Sequence, residues 1–417
     1  MKLLRRDFLK LSSNLSMGCI MPFIDMRPAN IHSYASGRVL KDNRFDPWLE
    51  ISANSLQNNV NALSSLADGR PVIAVVKNNA YGLGLEYVPS LLEKNEKVIG
   101  FGVVKADECF RLISQSINKP VLLLARASYY EEVELIREGI ELCVFSTDDL
   151  SRLSEHAKRI HRNIKIHAYI DTGMNRVGMP YFKAFHWLKS LVNHPNIQIV
   201  STFTDLTEDP EFDIEQAKRL QSLCDELRSE GIDPGYQHAA SSNGIYHVGE
   251  AHLDVVRPGI SMYGAYPTHF KEEQTKMELQ VAYKWCARVV RVEKMRKGDT
   301  VSYGRNFKAD PPTWIATLPV GHSDGYPRKA IEGAKILIGE KIYPVIGAVS
   351  ASHCIVNLGS DTNVRTGDIA ILVGPDHPEI LPNEVSNLAG ISVYDLLMHM
   401  NPTIPKVVYL GSPTSDK

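Results

Sequence analysis

The chain has 417 residues, of which 44% are hydrophobic and 23% are charged, and this composition is typical of a globular protein with two domains. Its formal net charge of −2 gives no electrostatic reason to expect binding to nucleic acid or to an anionic membrane surface. Six cysteines are scattered without a C-x-x-C pair or the spacing of a metal site, so we expect mostly buried thiols and no bound metal.

Residues 1–38 are predicted to form an export signal and a disordered leader. Residues 5–10, Arg-Arg-Asp-Phe-Leu-Lys, are similar to a twin-arginine signal, and the apolar stretch 11–24 contains polar residues that make it a poor transmembrane helix. This pattern predicts a periplasmic protein without stable membrane insertion. A cytoplasmic protein with an untargeted basic tail is the alternative, and cleavage near 33–35 and lipidation at Cys19 both stay open.

The next part of the chain has the pattern of repeated strand–helix units. A short apolar segment at 46–52 is predicted to be a strand that could pair with a second domain. Eight strands are then predicted at 72–76, 98–104, 121–124, 142–145, 164–170, 197–203, 236–240 and 253–256, with helices such as 130–137, 147–156, 182–192 and 214–230 between them. Eight such units fit a (β/α)8 TIM-type barrel over 46–270. No G-x-G-x-x-G or Walker-type loop is present, which disfavours a dinucleotide-binding fold.

After Tyr263 the pattern changes to short β-branched runs separated by Gly, Pro and Asp, such as 287–292 and 314–318. Such runs are typical of an all-β domain, which we place at 275–411 after a linker at 268–280. The predicted fold class is therefore α/β, with a barrel followed by a C-terminal all-β domain.

Lys77 ends a buried strand, where a lysine is costly unless it reaches solvent, pairs or reacts. The run 75–84, Val-Val-Lys-Asn-Asn-Ala-Tyr-Gly-Leu-Gly, resembles the pyridoxal 5'-phosphate (PLP) loop of the alanine racemase family. The resemblance implies that Lys77 carries the cofactor covalently and that Tyr81 holds its phosphate. A barrel followed by a β domain is also the layout of that family.

Two further segments at predicted strand ends, where barrel enzymes place reactive groups, resemble the family. Residues 171–178, Asp-Thr-Gly-Met-Asn-Arg-Val-Gly, are similar to its D-T-G-M-x-R-x-G, which implies that Arg176 contacts the cofactor's phenolic oxygen and the substrate carboxylate. Residues 238–243, His-Ala-Ala-Ser-Ser-Asn, resemble H-A-A-N-S, which implies that Ser242 binds the phosphate. His238 could equally be a hydrogen-bonded core histidine.

Residues 257–264, Arg-Pro-Gly-Ile-Ser-Met-Tyr-Gly, look like the family's R-x-G-I-x-x-Y-G. The resemblance implies that Arg257 contacts the pyridine nitrogen and that the amides of Gly259 and Ile260 hold the phosphate. An arginine there disfavours protonation of the ring, which makes the ring a weaker electron sink and favours racemisation over transamination. Tyr394 matches a further phosphate-binding tyrosine.

Residues 301–305, Val-Ser-Tyr-Gly-Arg, are similar to a V-S-Y-G-R segment of the family's second domain. The resemblance implies that Tyr303 is a second acid/base that reaches the active site of a partner subunit in a homodimer. Racemisation needs proton transfer on both faces of a planar centre, and Lys77 with the partner's tyrosine would provide it. The structural alternative for Tyr303 is a hydrogen-bonded hairpin residue.

Several positions depart from the family. Tyr169 stands where a lysine is usual, Asp205 replaces a ring-stacking histidine, and Ala351 with Ser352 replaces Met-Asp beside the substrate. Ala351 removes bulk there, so the predicted racemase could accept alanine or a broader set of amino acids. One alternative is a non-catalytic PLP- or amino-acid-binding descendant, which these substitutions motivate. The other is a PLP-dependent decarboxylase, against which Arg257 and Tyr303 argue.

Overall fold

A computed structural model describes residues 45–409, apart from 193, 195 and 269. The predicted leader, with its twin-arginine motif and Cys19, lies outside the described residues. Among the helices that are described, none is both long enough and apolar enough to cross a bilayer.

The described chain begins with strand β1 (Trp48–Ser52) and helix α1 (Ala53–Leu66). Ser52 ends the strand and caps the helix, because its side-chain oxygen accepts a hydrogen bond from the amide of Ser55. The two elements diverge at this residue: β1 joins the second sheet, whereas α1 packs near the short 3-10 helix 260–263 of the barrel.

Parallel strands form the first sheet, as the alternating pattern predicts. They are β2 (Val72–Val75), β3 (Val98–Val103), β4 (Val121–Leu123), β5 (Glu141–Val144), β6 (Ile164–Asp171), β7 (Met179–Pro180), β8 (Ile197–Phe203) and β9 (Tyr236–His238). All but β7 lie side by side in chain order, and β7 pairs only with β6. Predicted strand 236–240 therefore ends two residues early, at His238.

The ring is closed by a segment shorter than the predicted strand 253–256. Val255 bridges to His238 and Val256 bridges to Val72, both in parallel. The amides of Ile73 and Val75 donate to the oxygens of Val256 and Pro258, at 2.9 and 3.0 Å. Because proline has no amide hydrogen, the segment cannot continue a regular two-sided ladder beyond this point.

Helices follow most of the strands and cover the outside of the sheet. They are α2 (Val88–Leu92), α3 (Ala106–Ser114), α4 (Tyr129–Arg137), α5 (Thr147–Ile160), α6 (Tyr181–Val192), α7 (Pro210–Ser229), α8 (Ser242–His247) and α9 (Phe270–Lys276). Helix α7 begins four residues before the prediction, because Asp209 accepts from the amide of Phe212 and caps it. Helix α9 lies inside the predicted linker.

The second sheet has nine strands in the order β11-β14-β17-β16-β15-β18-β10-β1-β19. Its later strands, with the small hairpin β12–β13, are β10 (Tyr283–Arg288), β11 (Arg291–Met295), β12 (Thr300–Val301), β13 (Phe307–Lys308), β14 (Thr313–Leu318), β15 (Lys335–Ile338), β16 (Lys341–Ile346), β17 (Cys354–Gly359), β18 (Ile369–Val373) and β19 (Lys406–Tyr409). Two short helices, α10 (Pro382–Leu388) and α11 (Val393–Met398), add to the expected all-β pattern.

Strand β1, which precedes the barrel in sequence, lies between two strands of the second sheet. It pairs antiparallel with β10 and parallel with β19. Leu49 and Ile51 on this strand are fully buried, in one apolar cluster that runs through both domains. The five described cysteines are buried and free, as the sequence predicts; they are Cys109, Cys143, Cys224, Cys286 and Cys354.

We predict that Leu49→Ala lowers the free energy of unfolding by about 2–5 kcal/mol, because it leaves a cavity between three strands of the second sheet. The matched variant Ile51→Val removes one methylene and should cost about 0.5–1.5 kcal/mol. Urea unfolding followed by tryptophan fluorescence measures both. Equal midpoints for Leu49→Ala and the wild type would show that β1 is not required by the sheet.

Candidate active site

Lys77 stands in a strained turn at the carboxyl end of β2. The four residues that follow it, Asn78, Asn79, Ala80 and Tyr81, all have positive φ, between 51° and 58°. A left-handed conformation costs about 1–2 kcal/mol for each residue other than glycine, and asparagine tolerates it best. Such a run persists only where neighbouring groups hold it.

A buried carboxylate holds this turn. Glu108 on α3 accepts a hydrogen bond from the amide of Asn79 at 3.1 Å, and its other oxygen accepts from the amides of Val104 and Lys105 at 3.2 Å each. The side-chain oxygen of Asn79 also accepts from Arg111 at 2.9 Å. The turn is therefore tied to the start of α3, and sequence reasoning missed this role of Glu108.

The surroundings of Lys77 favour its neutral amine. Burial lowers the pKa of Lys77; the negative charge of Asp205 opposes this, and the positive charges of Arg176 and Arg257 add to it. Within the described part of the chain, no hydrogen bond or ion pair engages the Lys77 amine. A lowered pKa increases the share of the neutral amine, which is the form that acts as a nucleophile and proton acceptor.

A group of hydroxyls and amides lies beside the turn. The Ser242 hydroxyl, at the start of α8, accepts from the amides of Gly259 and Ser261 at 3.0 and 3.3 Å. A Cβ added at Gly259 would collide with the Tyr81 hydroxyl. The ring of Tyr394, from α11, lies 6.5 Å from the ring of Tyr81. Residues predicted to hold a phosphate are thus brought together by both domains.

Ile260 is fully buried and begins the 3-10 helix 260–263, directly after Gly259. That the amide of Ile260 holds a phosphate together with the amide of Gly259 stays a prediction.

Asp205 joins two arginines. One carboxylate oxygen accepts from Arg257 at 2.6 Å, and the other accepts from Arg176 at 2.6 Å and from the Tyr169 hydroxyl at 2.8 Å. Burial raises the pKa of Asp205, but Arg257, Tyr169 and Arg176 outweigh it and lower the pKa below the usual 3.8. A depressed carboxyl pKa contributes stability that is fully present above 3.8 and is lost as pH falls through the folded value.

Behind Arg257, a chain of hydrogen bonds crosses the barrel to Glu141. Arg257 donates to Nδ1 of His238, and Nε2 of His238 bonds the Ser201 hydroxyl at 2.8 Å. That hydroxyl bonds Nδ1 of His167 at 2.6 Å, and Nε2 of His167 bonds Glu141 at 2.8 Å. Because arginine can only donate, Nδ1 of His238 accepts and carries no proton, so His238 is neutral and its Nε2 donates to Ser201.

Burial lowers the pKa of both histidines, which agrees with the neutral form that the bond from Arg257 requires of His238. His238 is fully buried and orients Arg257. The structure therefore places it as a hydrogen-bonded core histidine next to the site.

Tyr303 and Ala351 lie apart from this cluster. Tyr303 is 75% exposed in the turn 302–305, which Ser302 attaches to the Ala348 oxygen at 3.1 Å. Ala351 is exposed in the loop before β17, and its oxygen accepts from the amide of Ser323 at 2.9 Å. No hydrogen bond, ion pair or ring contact of the described residues ties either one to Lys77. Their assignment to the site therefore stays a prediction.

Comparison with known proteins identifies the family. Residues 51–267 match the family model "Alanine racemase, N-terminal domain", and residues 282–408 match "Alanine racemase, C-terminal domain". The chain belongs to the alanine racemase family. Members of this family are isomerases, and the order of its two domains is that of the barrel and the second sheet.

Individual alanine racemases resemble the chain along most of its length. Alanine racemases of Clostridium tetani and Clostridium novyi are 33% and 30% identical over 368 residues, which is 86% of this chain and 94% of each relative. A solved alanine racemase of Clostridium difficile 630 is 26% identical, has a TM-score of 0.81, and matches 89% of this chain and 97% of that chain.

The family is PLP-dependent, and the residues of this site fit that cofactor. The hydroxyls of Tyr81 and Ser242 and the space left at Gly259 suit a phosphate. Lys77 offers an unpaired amine and Arg257 a fixed cation. Among the residues that the structure describes, no cluster of His, Cys, Asp or Glu could hold a metal ion.

We predict that Gly259→Ala weakens PLP binding at least about tenfold, because the new Cβ displaces the Tyr81 hydroxyl and costs one hydrogen bond to a charged group. The matched control is Gly249→Ala, where a Cβ meets nothing within 4 Å. Equilibrium dialysis of the apoprotein against PLP measures both. Equal affinities in the two variants would contradict the proposed phosphate site.

Proposed function

We propose that the chain racemises alanine with PLP, and that Lys77 is both the point of cofactor attachment and the acid/base for one face of the substrate. The observation that carries the proposal is the unpaired, half-buried Lys77 amine, whose pKa burial lowers, at the carboxyl end of a barrel strand. When bound, PLP withdraws electrons from the substrate Cα and makes its proton acidic.

The other residues of the site orient the reactants. Arg257 is held by His238 and Asp205, so it presents a fixed donor to the cofactor ring and gives no proton away. Arg176 presents an exposed guanidinium that suits the substrate carboxylate. Lys77 then moves a proton at its Nζ.

We propose that Tyr303 serves the opposite face from a partner subunit of a homodimer. A tyrosine 75% exposed on the second domain, with no tie to the Lys77 cluster of its own chain, is available to a second copy. Ser302 next to it has a strained φ of +57°, which persists because contacts such as its bond to the Ala348 oxygen hold the turn.

We further propose a substrate range broader than alanine. Ala351 and Ser352 are small residues at positions where the family resemblance implies Met and Asp beside the substrate. Less bulk there leaves room for a longer side chain.

Incubation in D2O with single amino acids tests the reaction. The PLP-loaded protein should place deuterium at Cα of alanine and form the other enantiomer, and Lys77→Ala should do neither. Tyr303→Phe should slow exchange from one enantiomer by about 10²–10⁴, the usual contribution of an acid/base group, whereas Tyr130→Phe, at another exposed tyrosine, should not. Serine, lysine, arginine and glutamate report the substrate range.

The outcomes separate the alternatives. Bound PLP without deuterium in any of these amino acids would point to a non-catalytic binder. Loss of carbon dioxide from the substrate would point to a decarboxylase. Unchanged exchange in Tyr303→Phe would contradict the two-residue mechanism while leaving racemisation in place.

We also propose export through the twin-arginine route, on the basis of residues 5–10. Replacing both arginines, Arg5→Lys with Arg6→Lys, should keep the protein in the cytoplasmic fraction of a bacterial host, whereas Lys10→Arg should not. Immunoblots of periplasmic and cytoplasmic fractions measure this. Cytoplasmic wild-type protein would instead support the untargeted tail.

A further inference from the structure

Asp205 holds two arginines that differ sharply in exposure. The side chain of Arg257 is 4% exposed, and it also donates to the oxygens of Thr204 and Ala239 at 2.9 and 3.3 Å. The side chain of Arg176 is 61% exposed, and its one ion pair within the described residues is with Asp205. The carboxylate is therefore fixed at its Arg257 end and open to exchange at its Arg176 end.

The backbone that carries Arg176 is held independently of this ion pair. Asp171 accepts hydrogen bonds from the amides of Gly173 and Asn175 at 3.0 and 3.1 Å, and these fix the loop 172–178. Gly178 packs so closely on Asp171 that a Cβ there would collide with its amide. The Arg176 side chain can consequently change its partner while the loop keeps its shape.

We propose that Asp205 is a built-in substitute for the substrate carboxylate, which holds Arg176 in place between turnovers and releases it when an amino acid binds. The inference rests on the proposed function and extends it, because it concerns the arginine that would bind the substrate. Asp205 is a positioning residue here, since it acts through Arg176 and not on the reacting atoms.

The strength of the Arg176 ion pair suits such an exchange. An exposed ion pair changes an equilibrium constant by at most about fivefold. A free carboxylate can bond a guanidinium through two parallel hydrogen bonds, which makes it a stronger partner than the single 2.6 Å bond to Asp205. Asp205 therefore lowers the affinity for carboxylates by a small factor and prevents Arg176 from pointing into solvent.

The test is the binding of propionate, which has the carboxylate and methyl group of alanine but no amine. Isothermal titration calorimetry measures the affinity of the purified protein for propionate at saturating PLP. In Asp205→Asn, the amide turns its oxygen to Arg257 and its two donors to Arg176, so Arg176 is freed. Propionate should bind about two- to fivefold more tightly, and the KM for alanine should fall by a similar factor.

Three further variants make the result specific. Tyr169→Phe removes a hydroxyl that interacts with both Asp205 and Arg176 but keeps the carboxylate, so propionate should gain less affinity than in Asp205→Asn. Asp225→Asn breaks an exposed aspartate–arginine pair elsewhere, at 3.1 Å from Arg228, and should change nothing. In an Arg176→Lys background, adding Asp205→Asn should not increase the affinity for propionate.

Unchanged or weaker propionate binding in Asp205→Asn would overturn the proposal. So would an Asp205→Asn protein that cannot be saturated with PLP, because the main effect of Asp205 would then be on cofactor binding through Arg257 and not on Arg176. Propionate binding is measured without turnover. A negative propionate result therefore does not contradict racemisation measured by deuterium exchange. Conversely, propionate binding can be measured even if no α-proton exchange is found.

Discussion

The ion pair between Arg257 and Asp205 is the interaction on which the rest of the site depends. A guanidinium that is 4% exposed needs partners inside the protein, and Arg257 donates to Asp205, His238 and two backbone oxygens through its two terminal nitrogens. The same carboxylate brings Arg176 toward Lys77. Two cations close to a lysine then add to the effect of burial and lower its pKa.

Carboxylates also hold the parts of the site that do not touch Asp205. Glu108 stabilises the strained turn behind Lys77, and Glu141 ends the chain of hydrogen bonds that fixes His238. Each of the two is nearly inaccessible to water and uses its oxygens on donors of the protein. The groups that would contact the cofactor or substrate are thus cations and hydroxyls. The carboxylates behind them fix their orientation.

Much of the fold was predictable because strand–helix alternation and barrel geometry are properties of local pattern. The candidates Lys77, Tyr81, Arg176, Ser242 and Arg257 could be named from the sequence because they stand in motifs that resemble those of the family. The partners of Asp205, the role of Glu108 and the left-handed turn at 78–81 were not, since they depend on contacts between distant segments. The closing strand was predicted at 253–256, and only 255 and 256 pair, because Leu253 has a positive φ of 50° that interrupts an extended strand.

The position of β1 has a consequence for the order in which the molecule is made. β1 lies between β10 and β19, so the second sheet needs both the first described strand and the last. More than 350 residues separate Ser52 from Lys406. At about 5–20 residues per second, a ribosome takes roughly 20–70 s to make them. During that time the edge of β1 that pairs with β19 has no partner, so it is open to pairing with other strands.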